Sequence, residues 1–208
     1  MDNAQTIKKT FTKNYIPVYK PAKLIRPANL PDVSSSWKGL ELIIEDILDG
    51  FDLERTSCIE FGVGSGFSTA AFSNYFEQVT GIYIFVNKSF PDKEQEYFDE
   101  TKSTLAAYKN IKLFRSDYRE WIKTDQSRYN FAHIDGLKHY DETYECGLWT
   151  ARHSDCTVFH NTESLTEVRQ AAIDIALETG QSLFSYPLLN GLGILVDKAG
   201  IAERNSLK

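Results

Sequence analysis

Nowhere in the 208 residues does an apolar run approach the ~18 that a membrane-spanning helix needs, so no membrane partner is expected. Met1 to Thr10 has no apolar h-region, and no secretory signal is expected from it. Cysteine is scarce. Cys58, Cys146 and Cys156 make an odd count with no C-x-x-C spacing, which predicts buried free thiols in a reducing cytoplasm. Internal repeats and low-complexity tracts are missing, and 208 residues with 42% hydrophobic content suit one domain with a real core. Positive charge is in deficit: a net charge of -6 argues against nucleic acid as the main partner.

Acid, in turn, is missing from Ile7 to Arg26. That stretch carries Lys8, Lys9, Lys13, Lys20, Lys23 and Arg26, and taking its +6 from -6 leaves -12 on the remainder. Such an arm is either solvated, laid against the chain's own acidic body, or closed as a lid over an anionic ligand. Pro17, Pro21, Pro27 and Pro31 deny it a long helix. The chain therefore divides into an irregular basic arm, residues 1–33, and one folded domain, residues 34–208.

Helical periodicity begins near Ser36, with Trp37, Leu40, Ile44, Ile47 and Leu48 on one face and Gly50 as the stop. From there the chain alternates. Strands are expected near 57–61, 79–84, 111–115, 130–135 and 157–161. Helices fall near 67–77, 91–108, 118–123, 140–150 and 165–179. Pro91 suits a first helical turn, and Ser164 with Glu167 reads as a capping box. Strands near 182–187 and 192–197 close the chain as a hairpin. Alternation of this kind predicts an α/β fold with a doubly wound, mostly parallel sheet and one antiparallel strand from that hairpin.

The most informative stretch is Ser57-Cys-Ile-Glu-Phe-Gly-Val-Gly-Ser-Gly-Phe-Ser-Thr69. An apolar strand runs through Gly62, Gly64 and Gly66 into a helix, which puts bare backbone N–H groups at one point. That is a seat for an anionic or polar cofactor group. Glu60 can accept hydrogen bonds from a bound amine or from the loop itself. The hydroxyl of Ser68 either meets a ligand or caps the helix. A nicotinamide cofactor is disfavoured, because the dinucleotide fingerprint puts its third glycine where Phe67 stands.

In an open α/β sheet ligands bind beyond the carboxyl ends of the strands, so the residues there are the site candidates. At the end of the second strand an acid for ribose hydroxyls is missing; Tyr83 stands there, with Asn87 as a substitute if the chain bends back. The third strand ends at Asp117, which either meets a ligand or caps the next helix. The fourth ends His133-Ile-Asp135-Gly136-Leu-Lys138-His139-Tyr140, and the fifth ends Phe159-His160-Asn161-Thr162.

The pattern Glu60-x-Gly62-x-Gly64-x-Gly66 resembles motif I of the class I S-adenosylmethionine-dependent methyltransferases. The two later segments resemble I-D-G-x-H-x-Y and F-H-D-T of a family related to catechol and macrolide-sugar O-methyltransferases. Lys138 and Asn161 stand where that family has histidine and aspartate. The resemblance covers roughly residues 37–198 and implies a Rossmann-like, seven-stranded methyltransferase-like domain over 34–208. It implies S-adenosylmethionine bound by Glu60, Gly62, Gly64, Gly66, Ser68, Tyr83 and Asp117, and methyl transfer to a small-molecule acceptor, in all expectation a hydroxyl. His160 is the first candidate for the base and His139 the second, with Asp135 orienting donor or acceptor. In metal-dependent relatives the acids at these strand ends hold Mg²⁺, which implies Asp135 and Asn161 as ligands here. The alternative reading is a degenerate methyltransferase fold kept as a binding or assembly module. A homodimer is left open.

Overall fold

The computed structural model describes residues 16–83 and 91–206. A 3-10 turn, Leu40–Ile43, leads into α1 (Ile44–Gly50). There follow β1 (Ser57–Phe61), α2 (Phe67–Ser73), β2 (Gln78–Tyr83), α3 (Pro91–Leu105), β3 (Ile111–Arg115), α4 (Tyr118–Thr124) and β4 (Tyr129–Ile134). The chain continues with α5 (Tyr140–His153), β5 (Ser154–His160), α6 (Thr166–Thr179), β6 (Ser182–Tyr186), β7 (Leu192–Val196) and α7 (Lys198–Ser206).

The strands form one seven-stranded sheet in the order β3-β2-β1-β4-β5-β7-β6. Only β7 is reversed, lying antiparallel between β5 and β6. This is the doubly wound Rossmann-like sheet that the alternation predicts. Its strand order reverses between β1 and β4, so the crevice at a topological switch point opens at the ends of those two strands.

Central strands are buried on both faces: β5 is buried along its whole length and β1 from Cys58 to Phe61. One face packs Trp37, Leu40, Ile44, Ile47 and Phe72 onto Cys58, Phe131 and Val158. The other packs Cys146, Val168 and Ile175 onto Ile59, Phe61, Ile134 and Phe159. Each such side chain contributes ~1.5–3 kcal/mol on burial. Side chains alternate along a strand, so His133 follows Phe131, and His160 follows Val158, onto the α1/α2 face. All three cysteines are buried free thiols.

Some local expectations change. The helix expected from Ser36 starts only at Leu40, because Gly39 at φ 102° breaks the turn before it. The Ser164–Glu167 capping box does not form. Glu167 Oε2 accepts instead from the Tyr140 N–H at 2.8 Å, and Ser164 Oγ accepts from the Asn161 amide at 3.1 Å. In the described part of the arm, Tyr19 N–H donates to Ser185 O at 2.7 Å and Ser185 N–H to Pro17 O at 2.9 Å, which extends the sheet beyond β6. Asp46 on α1 accepts from Tyr19 Oη and from the N–H groups of Ala22 and Lys23. Lys23 pairs with Asp49 at 2.6 Å. Residues 16–25 thus lie along the acidic first helix.

Candidate active site

The glycine run after β1 is shaped by two opposite demands. Gly62 sits at φ 95° against the end of β4, where a Cβ would lie 2.0 Å from the Asp135 carbonyl oxygen. Its neighbours are fixed by Asp135 N–H to Phe61 O at 2.8 Å and Gly62 N–H to Ile82 O at 3.0 Å. Gly62 therefore answers a close approach of two backbones. Gly64, at φ 54°, has nothing within 4 Å of its Cβ position and is exposed, so bare backbone faces outward there. Its carbonyl accepts from Thr101 Oγ1 at 2.7 Å, which ties the loop to α3. Gly66 is the N-cap residue of α2, and no side chain caps that helix.

Glu60 has no exposed surface, and its carboxylate is met from inside the protein. Ser68 Oγ donates to Oε1 at 2.5 Å, Thr69 Oγ1 donates to Oε2, and His133 Nδ1 lies 2.8 Å from Oε1. His133 Nε2 accepts from the Trp37 indole N–H at 3.1 Å. An acceptor Nε2 makes Nδ1–H the donor to Glu60, so this ring is the neutral Nδ1–H tautomer. Of the two roles open to Glu60, the structure shows the one toward the loop: Glu60 and Ser68 bond to one another in an internal network that spans the glycine loop. Trp37, Thr69 and His133 are members that the sequence reading did not single out. The 96-residue separation of Trp37 and His133 leaves no local signal.

A second carboxylate–histidine pair closes the next strand ends. Asp135 Oδ2 lies 3.1 Å from His160 Nδ1, and Oδ1 accepts from the Gly136 N–H at 2.6 Å. Burial alone would raise the Asp135 carboxyl. The hydrogen bond from His160, the nearby His133 and His160 rings and the Gly136 N–H together outweigh it and hold the group below the usual carboxylate range. Nδ1 is the ring nitrogen that faces Asp135, which leaves Nε2 as the other. That atom is buried and has no hydrogen-bond partner among the described residues. The pair sits against the glycine loop through the Asp135–Gly62 backbone contact.

The remaining candidates are scattered around this centre. Tyr83 ends β2 with its ring edge-on to Phe98 at 5.5 Å. Asp117 caps α4, its Oδ1 accepting from the Arg119 N–H at 2.7 Å. His139 does not join the centre, which corrects its place as a second base. Its side chain is 75% exposed and faces Glu167 at 3.7 Å. Lys138 is exposed as well. Asn87 lies outside the described residues.

Mg²⁺ is not matched by the residues present. Asp135 has both oxygens engaged, and the Asn161 amide, on a backbone at φ 69°, turns to Ser164. Among the described residues no group of three or more His, Cys, Asp or Glu side chains could hold a metal ion. Asp135 and Asn161 are thus each engaged with neighbours, and Asp135 is the single carboxylate of the two.

No family model and no curated protein matches the sequence. Solved structures do match the fold. The O-methyltransferase from Bacillus cereus, solved in complex with SAH, is 13% identical with a TM-score of 0.61, covering 95% of this chain and 92% of its own. SAM-bound CalS10, an amino pentose methyltransferase from Micromonospora echinaspora, is 10% identical with a TM-score of 0.58, covering 78% and 92%. Precorrin 8w decarboxylase of Methanobacterium thermoautotrophicum is 14% identical with a TM-score of 0.54, covering 83% and 95%. The chain has the Rossmann-like fold that these methyltransferases share, and the decarboxylase is named for a different reaction on the same fold.

Proposed function

We propose that the protein transfers a methyl group from S-adenosylmethionine to a hydroxyl of a small-molecule acceptor. The observation that carries this reading is the Asp135–His160 pair, whose buried Nε2 has no partner, placed directly against an exposed glycine loop. Bound at that loop, S-adenosylmethionine supplies an electrophilic methyl on a sulfonium. The backbone around Gly64 would hold the nucleoside, with Tyr83 nearest the ribose. His160 Nε2 would take the acceptor's proton as the oxygen bonds to the methyl carbon, and the electron pair of the broken C–S bond stays on sulfur. Asp135 would hold the ring in the tautomer that leaves Nε2 free and would stabilise the imidazolium that forms. Likeness of fold to SAH- and SAM-bound methyltransferases supports the choice of cofactor.

A second reading, a degenerate fold that binds without catalysing, is favoured by Tyr83 in place of an acid and by the closed shell of Glu60. One titration separates the two. Calorimetry with S-adenosylhomocysteine on the natural chain and on Tyr83→Asp should show binding by both. The variant should bind about tenfold more tightly, because a carboxylate can accept from two ribose hydroxyls. Binding by Tyr83→Asp alone would favour the non-catalytic module.

A further inference from the structure

The carboxylate placed by the sequence nearest the glycine loop is turned away from it. Glu60 and His133 are both wholly buried, and they face one another across neighbouring strands, where Glu60 pairs in register with His133. Glu60 precedes the loop by two residues, while Ser68 and Thr69 follow Gly66 at the start of α2. Hydrogen bonds from both hydroxyls to one carboxylate therefore clip the two ends of the loop together. The third donor, His133, is itself fixed by Trp37. From the same 34–37 segment the Ser34 carbonyl accepts from Ser65 Oγ at 3.0 Å, at the tip of the loop. Turning Glu60 toward a ligand would break three bonds to a buried charge, and a buried carboxylate left short of donors is more costly than one new amine contact returns.

We propose that His133, held by Trp37, is a positioning residue. It keeps Glu60 locked onto Ser68 and Thr69, so that the loop holds its shape before any ligand arrives and Glu60 never contacts the ligand's amine. The first half of this inference stands on the free protein. The second half rests on the methyltransferase reading, so the two are tested by separate readouts.

Natural protein, His133→Leu and His133→Asn are compared. Asparagine retains an N–H for Glu60, whereas leucine does not. The first readout is amide hydrogen exchange in the free protein. His133→Leu should speed exchange over residues 62–70 by about tenfold while leaving β5 and β7 unchanged, and His133→Asn should restore protection to within about threefold. The second readout is the calorimetric Kd for S-adenosylhomocysteine and for 5′-methylthioadenosine, which lacks the amino-acid part. His133→Leu should weaken both ligands by the same factor, about tenfold.

Unchanged exchange over 62–70 overturns the positioning role. Selective loss of S-adenosylhomocysteine, with 5′-methylthioadenosine unaffected, overturns the claim that Glu60 avoids the amine. If the natural protein binds neither nucleoside, the methyltransferase reading fails and the inference about Glu60 and the amine fails with it, while exchange still decides the positioning role. Should His133→Leu not fold, Trp37→Phe removes the indole N–H, and part of the ring with it, while keeping an aromatic side chain at that place. It should speed exchange in the same segment by about threefold, and no change there overturns the proposal.

Discussion

Two carboxylate–histidine pairs stand side by side on one face of the sheet, and they differ in closure rather than in chemistry. Glu60–His133 is closed: Ser68, Thr69 and Trp37 complete it, and neither side chain has exposed surface. Asp135–His160 is incomplete: its carboxylate is 25% exposed, its imidazole is 1% exposed, and the buried Nε2 has no partner among the described residues. A histidine with both nitrogens engaged can only hold a structure in place. One whose second nitrogen is unengaged can take a proton from a group that reaches it. The comparison thus separates scaffold from reactive group where residue type alone would have made both pairs candidates.

The largest expected effect comes from the incomplete pair. His160→Asn keeps an N–H toward Asp135 and removes the proton acceptor. Methyl transfer should fall by about 10²–10⁴, with the Kd for S-adenosylhomocysteine changed less than about threefold. An unchanged rate with the natural acceptor would move the base elsewhere.

Next is the backbone joint between the loop and the incomplete pair. Gly62→Ala forces a Cβ onto the Asp135 carbonyl at a φ that L-residues avoid, so it should cost about 4 kcal/mol or more, roughly 10 °C in Tm. Gly64→Ala shares the positive φ but meets open space, and should cost only about 1–2 kcal/mol. Equal melting shifts for the two would contradict the division of labour within the loop.

Smallest is the charge of Asp135. Its folded carboxyl titrates below its unfolded one, so the ionised form adds stability above about pH 4 and that stability is lost as the pH falls. Asp135→Asn should therefore cost about 1–3 kcal/mol in urea melts at pH 7 and much less at pH 3. A gap independent of pH would mean that the charge is not what His160 engages.

Much of the architecture was legible. The alternation of strand-like and helix-like stretches placed all seven strands within a few residues, most cleanly at β1, where a short run ends at a glycine. Asp135 and His160 were legible as strand-end residues for the same reason. The closed pair was half visible: Glu60 announced itself beside the glycines, but its partners come from a turn before α1 and from β4. Contacts that long in sequence leave no periodicity to read. The capping box failed because two closer partners, Tyr140 N–H and the Asn161 amide, took Glu167 and Ser164. Helix α7, with the sequence Lys-Ala-Gly-Ile-Ala-Glu-Arg-Asn-Ser, has too few apolar positions to announce itself.

A crystal soaked with S-adenosylhomocysteine tests the central claim most directly. Nucleoside density should lie against Gly64, with Glu60 still bonded to Ser68, Thr69 and His133 and the His160 Nε2 left clear for an acceptor. Density for the ligand's amine at Glu60 in place of His133, or a loop that stays empty at saturating ligand, would contradict it.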